Sequence, residues 1–468
     1  MTSTDATPAA LGAHLDALRA GFSLGDVPVP VVRANRLRRL ADGIVRRADE
    51  VTAAVDADFG GRSELETLAA EVGFTAQMLR HTARRLPRWV RPVARPTLAS
   101  GVPGIARLWV EPKGVAGVIA PWNYPFQLAV LPTATALAAG CKAMLKPSEF
   151  APRTGALVAE IMGDVWGEDD LRVVTGDAEV ARAFSALSFD HLFFTGSTET
   201  GRAVARAAAA NLTPVTLELG GKSPCLMMPD ARPDRHAALA GWGKWFSAGQ
   251  TCVAADFLLV PRGTGPAWAD AMLGIARRFA AEGRGYTAIA SDRHLDRLRA
   301  LLEEARAAGA EIREAPLPEG ADGRRMAPSV VLGAPDDCRL MQEEVFGPVL
   351  PIREYDGLDE ALAWLAARPA PLAAYAFGAD ARRARRALGR IRSGGGAVNA
   401  TMMHLAVRDM PFGGIGPSGM GAYRGRDGVM TFSHRRTVLE VPRIRGLAEM
   451  LLPPFDARAR RAIRWLSR

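Results

Sequence analysis

The 468-residue sequence has no apolar run of the roughly 18 residues that a membrane-spanning helix needs. Met1 to Ala20 has no basic start followed by an apolar stretch, so no secretory leader is expected and the cytoplasm is the default location. Cysteine is scarce. Cys141, Cys225, Cys252 and Cys338 form no CxxC pair, and a disulfide framework is not expected in a chain this long. The seven histidines show no metal-ligand spacing, so no metal site is expected. Lysine is scarcer than chance: Lys113, Lys142, Lys146, Lys222 and Lys244 stand against 54 arginines. That imbalance reads as compositional drift, and Lys146 and Lys222 survive inside distinctive motifs. Internal repeats and long disordered linkers are absent.

What is present is an ordinary globular composition, 48% hydrophobic and 23% charged. The length calls for two or three structural units. The net charge of +9 is spread over many arginines balanced locally by Asp and Glu. No alternation of aromatic and basic residues marks a single-strand platform, so nucleic acid is not an expected partner. The densest cluster, Arg382 to Arg392, reads as the solvated face of a helix. The tail from Arg443 to Arg468 mixes Leu, Met and Trp with Arg. Docking on its own protein or a partner subunit is favoured there over a membrane surface.

Residues 34 to 90 repeat apolar side chains at helical spacing, through Leu37, Leu40, Ile44 and Val45 and again through Leu65, Leu68, Val72 and Leu79. Pro87, Pro92, Pro96 and Pro103 then predict an extended connector. From Gly114 the pattern alternates. Strands are predicted at 115–120, 143–146, 171–174, 191–194 and 215–219, with helices at 126–139, 154–166, 179–187 and 199–211 between them. That alternation implies a parallel sheet covered on both faces. A second alternating region follows, with helices at 235–246, 266–281, 295–308 and 358–365 and strands near 257–260, 349–353 and 397–399. Five glycines between Pro411 and Gly421 predict a loop.

Four places carry chemistry, and each also has an ordinary explanation. Gly196, Ser197, Thr198, Glu199, Thr200 and Gly201 follow a strand and open a helix, which suits an anionic cofactor or is merely a glycine turn. Cys252 follows a turn of small residues (GQTC), as an exposed nucleophilic thiol does, but alone it reads more readily as a buried structural thiol. Glu218 ends an apolar strand, as a general base with a raised pKa or as a strand-end carboxylate satisfied by backbone. Asn123, between Pro121 and Pro125, offers an amide to an oxyanion or simply stabilises its own turn.

Taken together and in this order, the blocks PWNYP at 121–125, KPSE at 146–149, FTGSTETG at 194–201, LELGGKSP at 217–224, GQTC at 249–252, EEVFGPV at 343–349 and PFGGIGPSGMG at 411–421 resemble the aldehyde dehydrogenase superfamily. The resemblance runs from about Arg36 to about Thr437. Residues 211–218, 290–294 and 425–434 resemble the class 3-like branch, bacterial coniferyl-aldehyde dehydrogenases in particular. The resemblance implies an α/β fold: a Rossmann-type NAD-binding domain over 1–94 and 114–219, a catalytic α/β domain over 220–420, a small β oligomerisation arm from 95–113 and 432–443, and a tail over 444–468. It implies Cys252 as nucleophile, Glu218 as general base and Asn123 as oxyanion donor. Lys146 and Glu149 would hold the adenosine ribose, residues 196–201 with Leu219 the nucleotide turn, and Glu344 and Phe346 the nicotinamide ribose and ring. Asn399 and the 411–421 loop would close the site.

By position in the motifs, Tyr124, Gln127, Leu128, Phe246, Met403 and Phe412 line a hydrophobic substrate pocket. The expected reaction is oxidation of a hydrophobic aldehyde, aromatic such as coniferyl aldehyde or medium-chain aliphatic, to the acid by a homodimer. The cofactor is NAD, with NADP the lesser alternative because Glu149 repels a 2′-phosphate. The rivals are a CoA-acylating semialdehyde dehydrogenase, a non-catalytic family member and a cysteine hydrolase. Ala400 and Arg424 stand where relatives often carry Asp and His, and the 279–286 segment is short for the family.

Overall fold

A computed structural model describes residues 4–5, 7–97, 104–319, 321, 323–443 and 452–466. Its first sheet has seven strands in the order Thr4–Asp5, Leu171–Thr175, Lys142–Lys146, Val115–Ile119, His191–Thr195, Val215–Glu218 and Gly419–Met420. All neighbours are parallel except the last pair. The central strands are apolar along most of their length, as strands covered on both faces are. Ala116, Val118, Leu145 and Phe193 point into a core shared with the helices Pro30–Arg46, Phe74–Trp89 and Gln127–Ala139. Val115, Ile119, Met144, Leu192 and Phe194 point into the opposite core, with Ala10–Ala20 and Thr198–Ala209.

A second seven-stranded sheet runs Glu311–Glu314, Ser329–Leu332, Val349–Tyr355, Phe257–Pro261, Pro224–Met227, Ala373–Phe377 and Gly395–Val398. It is parallel apart from the Glu311–Glu314 edge. A three-stranded antiparallel sheet, Ser433–Glu440, Ile105–Pro112 and Val93–Pro96, completes the chain. This is the expected α/β architecture. Arg382, Arg383, Arg385 and Arg386 line the exposed side of the helix Ala381–Leu388, while Ala384 and Ala387 are buried. The tail contains a helix, Ala457–Leu466, and residues 444–451 lie outside the described residues.

Three expectations need correction. Pro87 does not open a connector; it lies inside the helix Phe74–Trp89. Its missing N–H costs one bond near the helix end, and the buried Ala83 and Leu86 hold the turn against the core. Val45 and Leu65 share the apolar rhythm but are 46% and 74% exposed. Val45 adjoins Ile44, which takes the core-facing position. The segment 411–421 is not all loop: Gly419 and Met420 pair antiparallel with Glu218 and Leu217 and close the edge of the first sheet.

The motifs collect at one place for a topological reason. The segments after Ile119, Lys146, Thr195 and Glu218 all leave the carboxyl edge of the first sheet, where parallel sheets bind ligands. The chain passes from Glu218 through residues 219–223 into the Pro224–Met227 strand of the second sheet. The segments that precede Phe257 and Val349 enter the amino edge of that second sheet. The sequence motifs therefore line the seam between the two sheets.

Candidate active site

The loop that carries Cys252 is built on unusual backbone. Ser247, Ala248 and Gly249 follow one another in the left-handed region, at φ 54°, 50° and 73°. Only glycine adopts this conformation without strain, so two side chains are held there by their surroundings. Gln250 is fully buried and supplies the restraint. Its Nε2 donates to the carbonyls of Ser247 (3.2 Å) and Ala288 (2.9 Å), and its Oε1 accepts from Ala290 N–H (2.9 Å). Cys252 emerges from this turn partly exposed, whereas Cys141, Cys225 and Cys338 are buried. Burial pushes the Cys252 thiol up to about 12. Glu344 and Glu218 push the same way and Arg424 opposes them. The resting sulfur therefore holds its proton.

Asn123 comes from the other side of the seam. It is 5% exposed, and its Nδ2 donates to the Gln250 carbonyl at 3.1 Å. An amide nitrogen has two hydrogens, so one stays available after this bond. Tyr124 Oη lies 2.6 Å from Thr251 Oγ1, which ties the same two loops together beside the thiol. Glu218 is 2% exposed, and neither of its carboxylate oxygens hydrogen-bonds a described residue. Burial raises its pKa well above the carboxylate range, with the Arg424 guanidinium opposing. An unpaired carboxylate in such a place is costly unless it has work to do.

The residues proposed for a cofactor divide into two groups. Lys146 is buried and Glu149 exposed, and they pair with each other, Nζ to Oε2, at 3.0 Å. The helix Thr198–Ala209 opens at the surface, capped by Ser197 Oγ, which accepts from Thr200 N–H at 3.2 Å. Thr198 Oγ1 donates to the Pro417 carbonyl at 3.1 Å, so the 411–421 loop folds over this helix start. Gly201 lets the helix approach Leu219: a Cβ there would sit 2.5 Å from Leu219 Cδ2. A Cβ at Gly220 would collide with the Glu344 carboxylate, whose pKa rises to about 8 through burial and then through Asp256. Phe346, at φ 49°, meets the Trp122 ring edge-on at 5.5 Å between centroids. A helix N-terminus exposed at the surface and close backbone approaches that only glycine allows fit a dinucleotide.

The family model for the aldehyde dehydrogenase family matches residues 2–438. The chain belongs to the aldehyde dehydrogenase family. It is 42% identical over 441 residues to a probable coniferyl aldehyde dehydrogenase of Pseudomonas aeruginosa, covering 93% of this chain and 92% of the relative. The substrate-bound structure of Staphylococcus aureus AldH superposes with a TM-score of 0.91 at 32% identity, over 98% of this chain and 99% of that one. A Mycobacterium tuberculosis aldehyde dehydrogenase complexed with NAD+ superposes with a TM-score of 0.86 at 29% identity, over 93% and 91%.

The six pocket candidates of this aldehyde dehydrogenase do not form one wall. Phe246, 5.6 Å from the Trp242 ring, and Phe412 each pack, as Cys252 does, against the core of the second sheet. Gln127 and Leu128 are buried at the start of the helix Gln127–Ala139, and Tyr124 is occupied with Thr251. Met403 is 52% exposed, at the rim rather than the wall. Asn399 bonds Gly378 through both ends of its amide, at 2.8 and 2.9 Å, which fixes the turn after the Gly395–Val398 strand.

Several side chains at the site gave no sequence signal. Arg62, Glu66 and Glu71 are buried beneath both loops. Lys244 is fully buried with no hydrogen bond to a described residue, and burial lowers it to about 8. Arg424, noted only as a departure, is 6% exposed and lies over the Phe74, Phe412 and Tyr423 rings at 4.9, 4.4 and 5.4 Å.

Proposed function

We propose that this aldehyde dehydrogenase uses NAD to oxidise a hydrophobic aldehyde to its carboxylic acid, with Cys252 as nucleophile, Asn123 as oxyanion donor and Glu218 as base. The observation that carries the reading is the buried, unpaired Glu218 carboxylate, close enough to the accessible cysteine to disturb its ionisation. A thiol raised to about 12 must lose its proton to react near neutrality, and Glu218 is the base at hand. The sulfur then attacks the aldehyde carbon. The developing oxyanion is met by the free hydrogen of the Asn123 amide and by the Cys252 N–H. Donors of this kind each contribute about 3–4 kcal/mol when preorganised.

Lys146, Glu149, residues 196–201, Leu219, Glu344 and Phe346 would hold the dinucleotide. When bound, it supplies the hydride acceptor. Hydride loss leaves an acyl thioester on Cys252. Once Glu218 has passed the Cys252 proton on to solvent it takes a proton from water, the water oxygen attacks the thioester carbon, the C–S bond breaks, and the departing thiolate takes that proton back from Glu218 as the acid leaves. The apolar edge of Trp242, Phe246 and Phe412 supports an aromatic substrate, and the likeness to a probable coniferyl aldehyde dehydrogenase points the same way.

A CoA-acylating reaction has no use for a water-activating base, so Glu218 weighs against it. The test is an aromatic and aliphatic aldehyde panel with NAD and NADP in separate arms, Cys252→Ala as control and product analysis. Free acid and Cys252-dependent NADH formation are expected. A CoA thioester as the product, or no Cys252-dependent turnover on any aldehyde, would overturn the reading.

A further inference from the structure

Beneath the two catalytic loops lies a charged cluster that the chemistry above does not use. Arg62 is 3% exposed, Glu66 9% and Glu71 fully buried. Arg62 Nη1 donates to the Asn123 carbonyl at 2.6 Å, and the guanidinium lies over the Phe59 and Tyr124 rings at 4.5 and 4.8 Å. Its Nε and Nη2 are buried and hydrogen-bond no described residue. Glu66 reaches the nucleophile loop. Its Oε1 accepts from Ser247 N–H at 3.0 Å, where the left-handed stretch begins, and its Oε2 accepts from Thr287 Oγ1 at 2.6 Å. Glu71 Oε2 accepts from Phe126 N–H (3.0 Å) and Gln127 N–H (2.8 Å), two residues that follow the PWNYP turn.

Local backbone explains how one short segment reaches both loops. Five residues apart, Glu66 and Glu71 would sit about 140° apart on a regular α-helix. The π turn Leu68–Gly73, with its i→i+5 bonds, departs from that spacing between them. Arg62 faces both and draws the ionisation of each downward against burial.

We propose that Arg62, braced by Glu66 and Glu71, is a positioning residue of the reaction: it pins the Asn123 backbone against the Cys252 loop and so sets where the oxyanion donor points. Burying three charges without a direct pair between them is a costly way to stabilise a fold. Each hydrogen bond described for these side chains ends on one of the two loops, on the helix start at Phe126 and Gln127 that follows the Asn123 turn, or on Thr287, whose neighbour Ala288 anchors Gln250.

This inference rests on the reading of Asn123 as oxyanion donor, and a double-mutant cycle separates the two. The enzymes compared are wild type, Arg62→Met, Asn123→Ala and the double variant, with kcat, KM for NAD and Tm measured on each. Arg62→Met is expected to lower kcat by about tenfold to hundredfold with KM for NAD within about twofold. In the Asn123→Ala background it should cost less than about twofold more, because Arg62 acts through Asn123. Arg62→Lys should recover part of the rate. If Arg62→Met does not fold, Glu71→Gln keeps an acceptor for Phe126 and Gln127 while removing the charge. It should show a several-fold loss with the same non-additivity. Asn123→Ala at wild-type kcat would sink the oxyanion reading. Asn123→Ala impaired, with Arg62→Met either harmless or fully additive, would sink this inference alone.

Discussion

Glu218 is protonated more readily than an ordinary carboxylate because both oxygens are out of water and neither has a hydrogen-bond partner among the described residues. A base must be deprotonated to act. Since its folded-state pKa is raised, the active form is scarce in acid and fills as pH rises through that value. The acidic limb of the kcat profile is therefore expected to climb to higher pH than a solvent-exposed glutamate would give. Glu218→Gln should abolish the climb and lower kcat by about a hundredfold or more. An unchanged limb in that variant would assign the titration to another group. Glu149 gives a second expectation at this scale. It is exposed and paired with Lys146, and in the ribose-binding role proposed for it its carboxylate would repel a 2′-phosphate. NAD should outperform NADP in kcat/KM, and Glu149→Gln should narrow the gap; equal use of both by the wild type would remove this role. Single residues differ in how readable they were. Cys252 is ambiguous alone in the sequence, and only beside Glu218 and Asn123 does it suggest the proposed nucleophile. The lysines in motifs have partners, Lys146 with Glu149 and Lys222 with Asp256 at 2.5 Å, but buried Lys244 gave no cue. Arg62 meets Asn123 across 61 positions and Glu66 meets Ser247 across 181, distances at which no local pattern points to a contact.

The Cys252 loop shows what an element adds to its residues. Gly249 has φ 73°, and a Cβ there would strike the Gly347 backbone carbonyl and come within 3.1 Å of the Lys244 carbonyl oxygen. Backbone cannot swing aside as a side-chain end can. Gly249→Ala is therefore expected to cost at least about 1–2 kcal/mol and to displace Cys252, lowering Tm and slowing thiol alkylation together. Retention of both would show that the turn is not what aims the sulfur. Sequence periodicity captured the elements whose composition matches their burial, such as the Val115–Ile119 and His191–Thr195 strands. It missed Glu311–Glu314, a charged edge strand formed by pairing to Ser329–Leu332, because no apolar alternation marks it. The π turn at Leu68–Gly73 was hidden for a different reason: one extra residue per turn leaves the helical composition intact and changes only which side chains share a face.

At the scale of the whole molecule, the alternation of strands and helices was enough to imply two covered sheets, but not how they meet. The seam depends on loop lengths and on Gly419–Met420 returning to Glu218 from far along the chain. The third sheet raises the remaining question. Ser433–Glu440 pairs along its full length with Ile105–Pro112, while its other edge has no strand beside it among the described residues. An eight-residue open edge is a template for another chain unless it is covered. Ile105, Leu439 and Val441 are 44–46% exposed on or beside this sheet. We propose that a second copy covers it, as the family resemblance also implies. Light scattering on the purified enzyme should then give twice the 49.9 kDa chain mass, and Leu439→Lys with Val441→Lys should shift it toward one chain. Cys252, Glu218, Asn123 and Arg62 all come from a single chain, so the separated form should keep its kcat while losing Tm. A wild-type enzyme of single-chain mass at micromolar concentration would overturn the dimer. A dissociated variant with its turnover abolished would mean instead that the arm holds the site in shape, through the Phe432 carbonyl that accepts from Lys113 N–H and the Cys141 thiol.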